Sequence, residues 1–154
     1  MKEIERKFLV PSFPCDELAT LTPERLFQGY LSLNETSELR LRKRDDAFYL
    51  TRKQGSGLER EETEEPISEA VFSLLWPLTK GQRVEKRRYV FTIQQYRYEL
   101  DIYEGKLTGL TVLEVEFESR DAARLFTPPH YCSQEVTEDK RFKNACLATL
   151  GKPD

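Results

Sequence analysis

Glu3, Glu5 and Lys7 stand at every second position of an N-terminal run, KEIERKFLV, in which Ile4, Phe8 and Val10 take the intervening places. The same two-residue spacing returns along the chain. Arg40 pairs with Arg42, Thr51 with Lys53, Lys86 with Arg88, Glu99 with Asp101 and Glu114 with Glu116, and Arg60, Glu62 and Glu64 form a triplet. In an extended chain, residues i and i+2 project from one face. Each segment therefore carries a charged face, backed for example by Leu39 and Leu41 or by Leu113, Val115 and Phe117. One such strand is what a sheet with a solvated face would show. Here the carboxylates gather on some segments (3/5, 62/64, 101, 114/116) and the bases on others (40/42, 53, 86/88). An ordinary surface mixes its signs residue by residue.

Segregation of this kind suits a site that takes a cation and an anion together. Paired glutamates offer hard oxygen donors to Mg²⁺ or Mn²⁺. Arginine and lysine grip phosphate oxygens, arginine often with two donors. Together they describe phosphoryl transfer, where a metal bridges phosphate oxygens and bases neutralise developing charge. Other chemistries lack their parts. Gly55-Ser56-Gly57 has no following Lys-Ser or Lys-Thr and reads as a turn rather than a P-loop. His130 is the single histidine, which rules out multi-histidine zinc sites, and no Ser-His-Asp or Cys-His set is available.

The elements that must hold these side chains are mostly strands. Alternation predicts them over 2–10, 25–33, 38–44, 47–53, 58–65, 82–92, 96–103 and 111–118. The run 47–65 reads as a hairpin turning at Gln54-Gly55-Ser56-Gly57. Helices are short. Ser68 can cap 69–76, with Val71, Phe72, Leu75 and Trp76 on its apolar face, and Ser119 can cap 120–126. The run 141–150 offers Phe142, Ala145, Cys146 and Leu150, and 15–20 is a weaker helix. The fold class expected is α+β: a barrel or strongly curved sheet of about eight strands, and the charged faces fit a barrel of inverted sense, charged inside, apolar outside and partly covered by the helices. Charges buried there must offset one another or be offset by ligand and metal.

Composition sets the remaining bounds. The chain has 154 residues, which fits a single domain over 1–154. Charged residues reach 33% against 38% hydrophobic, yet an aromatic share of 11% argues for a folded chain. The net charge of −3, from 24 basic and 27 acidic groups, leaves no nucleic-acid or membrane-surface footprint. Cys15, Cys132 and Cys146 are odd in number and lack CxxC spacing, which speaks against disulfides and for a reducing cytoplasm. Charges interrupt the N-terminal run, so no signal peptide is expected, and no apolar run nears the ~20 residues of a membrane span. A closed barrel has no edge demanding a partner, so a monomer or weak dimer is expected.

In their order these segments resemble the CYTH superfamily of triphosphate tunnel metalloenzymes. Glu3-Ile4-Glu5-Arg6-Lys7 matches that family's ExExK signature. Glu38–Arg42 resembles its two-arginine strand, Thr51-Arg52-Lys53 its TxK strand and Arg60–Glu64 its RxExE strand. Val84–Tyr89 resembles its basic strand, Leu100-Asp101 and Glu114-Val115-Glu116 its acidic strands, and Val136–Asn144 its C-terminal block. The matches span residues 3 to 144. The resemblance implies an eight-stranded antiparallel β-barrel, a tunnel with a charged interior, that hydrolyses or cyclises triphosphates with Mg²⁺ or Mn²⁺.

On that resemblance Glu3, Glu5, Glu114 and Glu116 are the expected metal ligands, with Asp101 as an additional one. Lys7, Arg40, Arg42, Lys53, Arg88 and, from the C-terminal segment, Lys140 are the expected phosphate clamps, and Arg60 is a further candidate. Glu62 and Glu64 could ligate metal or orient the attacking water. Lys86, crowded by cations, could act as a base, with Tyr30 beside it. Compact members resemble inorganic triphosphatases, so the expected reaction is metal-dependent hydrolysis of tripolyphosphate to pyrophosphate and phosphate. The alternatives are a class IV-type adenylate cyclase, a thiamine or nucleoside triphosphatase, and a non-catalytic polyphosphate or nucleotide binder.

Overall fold

The two-residue alternation becomes eight long strands. A computed structural model, which describes residues 2–56 and 59–153, places them as β1 (Lys2–Leu9), β2 (Glu24–Leu33), β3 (Ser37–Arg44), β4 (Ala47–Ser56), β5 (Glu59–Pro66), β6 (Arg83–Ile93), β7 (Tyr96–Tyr103) and β8 (Thr111–Glu116). Neighbours pair antiparallel in the order β5-β4-β3-β2-β6-β7-β8-β1. A pairing of β1 with β5, Glu3 opposite Arg60, closes the sheet into a barrel. That closure is short. The rest of the same β1 edge is met by β9 (Gln134–Glu135), which the sequence did not disclose. The expected 47–65 hairpin forms as β4–β5, while Gly57 of its anticipated turn lies outside the described residues.

Register decides which side chains share the interior. Residues opposite one another in an antiparallel pair lie on one face. Lys86 faces Tyr103, Arg88 faces Asp101, Glu99 faces Glu114, Glu5 faces Glu116 and Lys53 faces Glu62. The charged faces thus turn inward, and Phe8, Tyr98, Leu100, Leu113 and Val115 turn outward. Part of that apolar skin is covered by α2 (Arg120–Leu125), capped by Ser119, through Ala123 and the following Phe126. Elsewhere α1 (Glu69–Leu75), capped by Ser68, sets Phe72 against Phe48 and Trp76.

Two helical expectations are corrected. Val71, placed on the apolar face of 69–76, is exposed, because the helix buries only Phe72 and passes into a 3₁₀ turn over Trp76–Thr79. The C-terminal run is not one helix from 141. A 3₁₀ turn at Lys140–Phe142 precedes α3 (Asn144–Leu150), which shifts the phase, so Leu147 and Ala148 are buried while Leu150 is exposed. Leu147 and Ala148 join Tyr30, Val84, Tyr103, Leu107 and Val136 in an apolar cluster. Because Tyr30, Val84 and Tyr103 are on the interior faces of their strands, the cluster plugs one end of the barrel, and the charged lining is confined to the rest.

Gly29 of β2 shows how closely the outer cover sits. A Cβ there would lie 2.5 Å from Thr79 Oγ1 and 2.7 Å from the Trp76 ring. Gly29→Ala is expected to destabilise the fold by about 1–3 kcal/mol, the usual cost of overpacking, seen as a lower urea midpoint. An unchanged midpoint would mean the Trp76–Thr79 turn moves aside freely.

Candidate active site

A charged cavity occupies the interior of the barrel. Glu3 and Glu5 reach it from β1, Arg40, Arg42 and Arg44 from β3, and Lys53 and Glu62 from β4 and β5. Arg88, Arg97 and Glu99, then Glu114 and Glu116, complete the wall from β6, β7 and β8. Asn144 of α3 also lines it and accepts a hydrogen bond from the Tyr103 hydroxyl.

On the basic side the guanidinium of Arg40 is 1% exposed, yet its Nε and Nη2 have no hydrogen-bond partner. Its nearest carboxylate contact, Glu62, is 3.7 Å away. Arg42 likewise leaves Nε unpartnered, with Nη1 3.5 Å from Glu64. Burial, then Arg40 and Arg88, lowers Arg42 to about 10. Burial, then Arg40 and Arg60, lowers Lys53 as well. Three cations of β3 and β4 are therefore crowded together with donors to spare. Unmade hydrogen bonds from buried charged groups are costly, and an anion in the cavity would supply them.

On the acidic side, like charges stand opposite one another. The β1–β8 register sets Glu5 against Glu116, and the β7–β8 register sets Glu99 against Glu114. Such pairs are destabilising unless a cation intervenes. Burial, then the neighbouring Glu99, pushes Glu116 up to about 7. Burial also pushes Glu3 up to about 9, against the pull of Lys53. Cations of the protein answer part of this charge. Arg60 donates to Glu5 at 2.9 Å, and Lys53 lies 3.5 Å from Glu3. Lys7 lies 3.5 Å from Glu114.

Between the two sides lies a triangle with no exposure at its centre. Asp101 takes Lys86 Nζ at 2.6 Å and Arg88 Nη2 at 2.9 Å on Oδ2, and Arg88 Nε at 2.7 Å on Oδ1. Asp101, expected as a metal donor, has both oxygens occupied and stands as a counter-ion. Burial opposes its ionisation, but Arg88 and Lys86 hold it below the usual carboxylate range. Full burial lowers Lys86 to about 7, with Asp101 pulling the other way.

Other expectations shift too. The ring beneath Lys86 is that of Tyr103, 5.3 Å from Nζ, and not that of Tyr30. Tyr30 sits opposite Arg40, fully buried, with its hydroxyl unpartnered. Lys140 is exposed and lines a separate cavity. Glu64 accepts the Thr51 hydroxyl at 2.9 Å and opens on the mouth beside Glu3 and Glu116. Sequence reasoning missed Glu24, Arg44, Arg97, Glu99 and Asn144 as lining residues. Glu99 already stands with Asp101 on a charged face without a role assigned to it, and extending the alternation would have found Arg97 and Arg44. Asn144 arrives by the fold-back of α3, and no local pattern signals it.

The CYTH domain family model matches residues 1–128 of the chain. The chain belongs to the CYTH domain family. A CYTH relative, the inorganic triphosphatase of Nitrosomonas europaea, is 47% identical over 150 residues, covering 96% of this chain and 97% of that protein. The inorganic triphosphatase of Acetivibrio thermocellus is 35% identical over 149 residues, covering 95% and 92%. The crystal structure of the inorganic triphosphatase NE1496 superposes on this CYTH barrel with a TM-score of 0.73 at 43% identity, covering 98% of this chain and 97% of that one. Among the described residues no helix is long and apolar enough to cross a membrane, and Cys15, Cys132 and Cys146 are free thiols.

Proposed function

We propose that the chain, acting as one catalytic domain over 1–154, hydrolyses inorganic tripolyphosphate to pyrophosphate and phosphate in the barrel cavity. The observation that carries this reading is the set of buried, unpartnered guanidinium donors of Arg40 and Arg42 at a cavity whose lining, among the described residues, is charged apart from Asn144. An elongated polyanion satisfies those donors, and among the described residues no aromatic ring lines this cavity to stack on a nucleobase or a thiazole. The names of the two curated relatives support the same choice.

Arg40, Arg42, Lys53 and Arg88 hold the phosphate oxygens in this scheme, and Lys7 neutralises Glu114 from the closed end. Glu3, Glu5, Glu114 and Glu116 are the residues to hold a divalent ion. Their hard oxygens and like-charge pairing fit Mg²⁺ or Mn²⁺, although among the described residues no three carboxylates already converge on one point. The ion, when bound, withdraws charge from the phosphate oxygens. Water is the nucleophile, and Glu62 and Glu64 are the carboxylates on the β5 wall available to orient it. The Asp101 triangle keeps Lys86 and Arg88 fixed behind the substrate.

The test is phosphate release from tripolyphosphate, ATP and thiamine triphosphate in parallel, each with Mg²⁺, Mn²⁺ or EDTA. Release should be fastest on tripolyphosphate and absent in EDTA. Cyclic AMP formation, or tight binding without release from any of the three, would overturn the assignment.

A further inference from the structure

A second cavity of about 390 Å³ lies where the tip of the β2–β3 hairpin meets α3 and the turn before it. That volume is within the range of small-ligand sites. Four cations line it, Lys53, Arg60, Lys140 and Lys143, against two carboxylates, Glu35 and Glu38. Among the described residues neither Lys140 nor Lys143 has a carboxylate within ion-pair distance. Burial, then Arg60, holds Lys143 below the usual lysine range against the pull of Glu38, with Lys140 adding a smaller push, so these cations are close enough to oppose one another. Two lysines without an ion-pair partner, beside Lys53 and Arg60 that are paired toward the tunnel, in a concave space of this size fit a small anion.

The cavity is also coupled to the tunnel. Lys53 lines both. Arg60 lines the second cavity while donating to Glu5 of the tunnel at 2.9 Å. Lys53 lies 3.5 Å from Glu3 and 3.7 Å from Glu62. The partition between the two spaces is thus built from ion-paired side chains, and an anion could be passed from one set of bases to the next.

We propose that this second cavity binds inorganic phosphate and receives the orthophosphate cleaved in the tunnel. The binding itself stands on the cavity, and only its role as product acceptor rests on the triphosphatase reading. The measurement is a titration of the ¹⁵N-labelled chain with inorganic phosphate, without metal or tripolyphosphate. Saturable shifts are expected at the amides of 34–37 and 143–149. Lys143→Glu should weaken them by about tenfold or more, since it reverses a cation of the site. Thr149→Trp fills the cavity from the exposed face of α3 without changing a charge, and should have the same effect if Lys143→Glu fails to fold. Shifts confined to the tunnel strands, or wild-type phosphate binding in both variants, would overturn the site. Saturable shifts here in a chain that releases no phosphate from tripolyphosphate would uphold the site and remove the tunnel assignment instead.

Discussion

Arg40→Ala is expected to lower kcat/KM for tripolyphosphate by about a hundredfold or more. Arg40 is buried on β3 with two guanidinium donors unpartnered, and Glu62 at 3.7 Å too far to occupy them. Each charge-assisted hydrogen bond to a phosphate oxygen is worth about 1.5–3 kcal/mol. Two such bonds exceed the roughly 2.7 kcal/mol that a hundredfold represents. The alanine also relieves the crowding of Arg42 and Lys53, which softens the loss but cannot replace a forked donor. Arg40→Lys separates charge from geometry: it restores one cation at the site and should recover only part of the rate. Steady-state kinetics on all three chains check this. Wild-type kcat/KM in Arg40→Ala would place Arg40 outside the working part of the tunnel.

How far this site could be read before the fold was known follows from its construction. A strand announces its two faces locally, so Glu3, Glu5, Arg40, Arg42, Lys53, Glu114 and Glu116 were assigned to a common interior by spacing alone. Seven strands repeating one inverted pattern made a barrel more economical than a sheet with a wet face. What spacing cannot supply is register. Whether Asp101 faces an open cavity or two cations depends on which residue of β6 lies opposite it, and the answer is Arg88. The same holds for Lys86, whose neighbouring ring proved to be Tyr103 and not Tyr30. The C-terminal segment was the least legible. Its 3₁₀ turn moves the apolar face of α3 to Leu147 and Ala148, which plug the barrel, and carries Lys140 to the second cavity.

Asp101→Ala is expected to cost about 3–5 kcal/mol of stability, the range for removing one member of a buried ion cluster. Lys86 and Asp101 are both fully buried, and Arg88 nearly so. Without the carboxylate, Lys86 loses its 2.6 Å partner, while Arg88 keeps only Glu99 at 3.3 Å. For a chain of this length each kcal/mol moves Tm by about 2–4 °C, so a fall on the order of 10 °C should appear in a thermal melt. The same variant separates the two roles open to Asp101. A counter-ion, as the structure has it, gives the large fall in Tm with or without Mg²⁺. A metal donor, as the sequence resemblance implies, leaves the melt of the metal-free chain within about 2 °C of wild type and lowers only the affinity for the ion. The second pattern would mean that the Lys86–Asp101–Arg88 triangle adds little to the metal-free barrel, and that the carboxylate serves the ion and not the barrel.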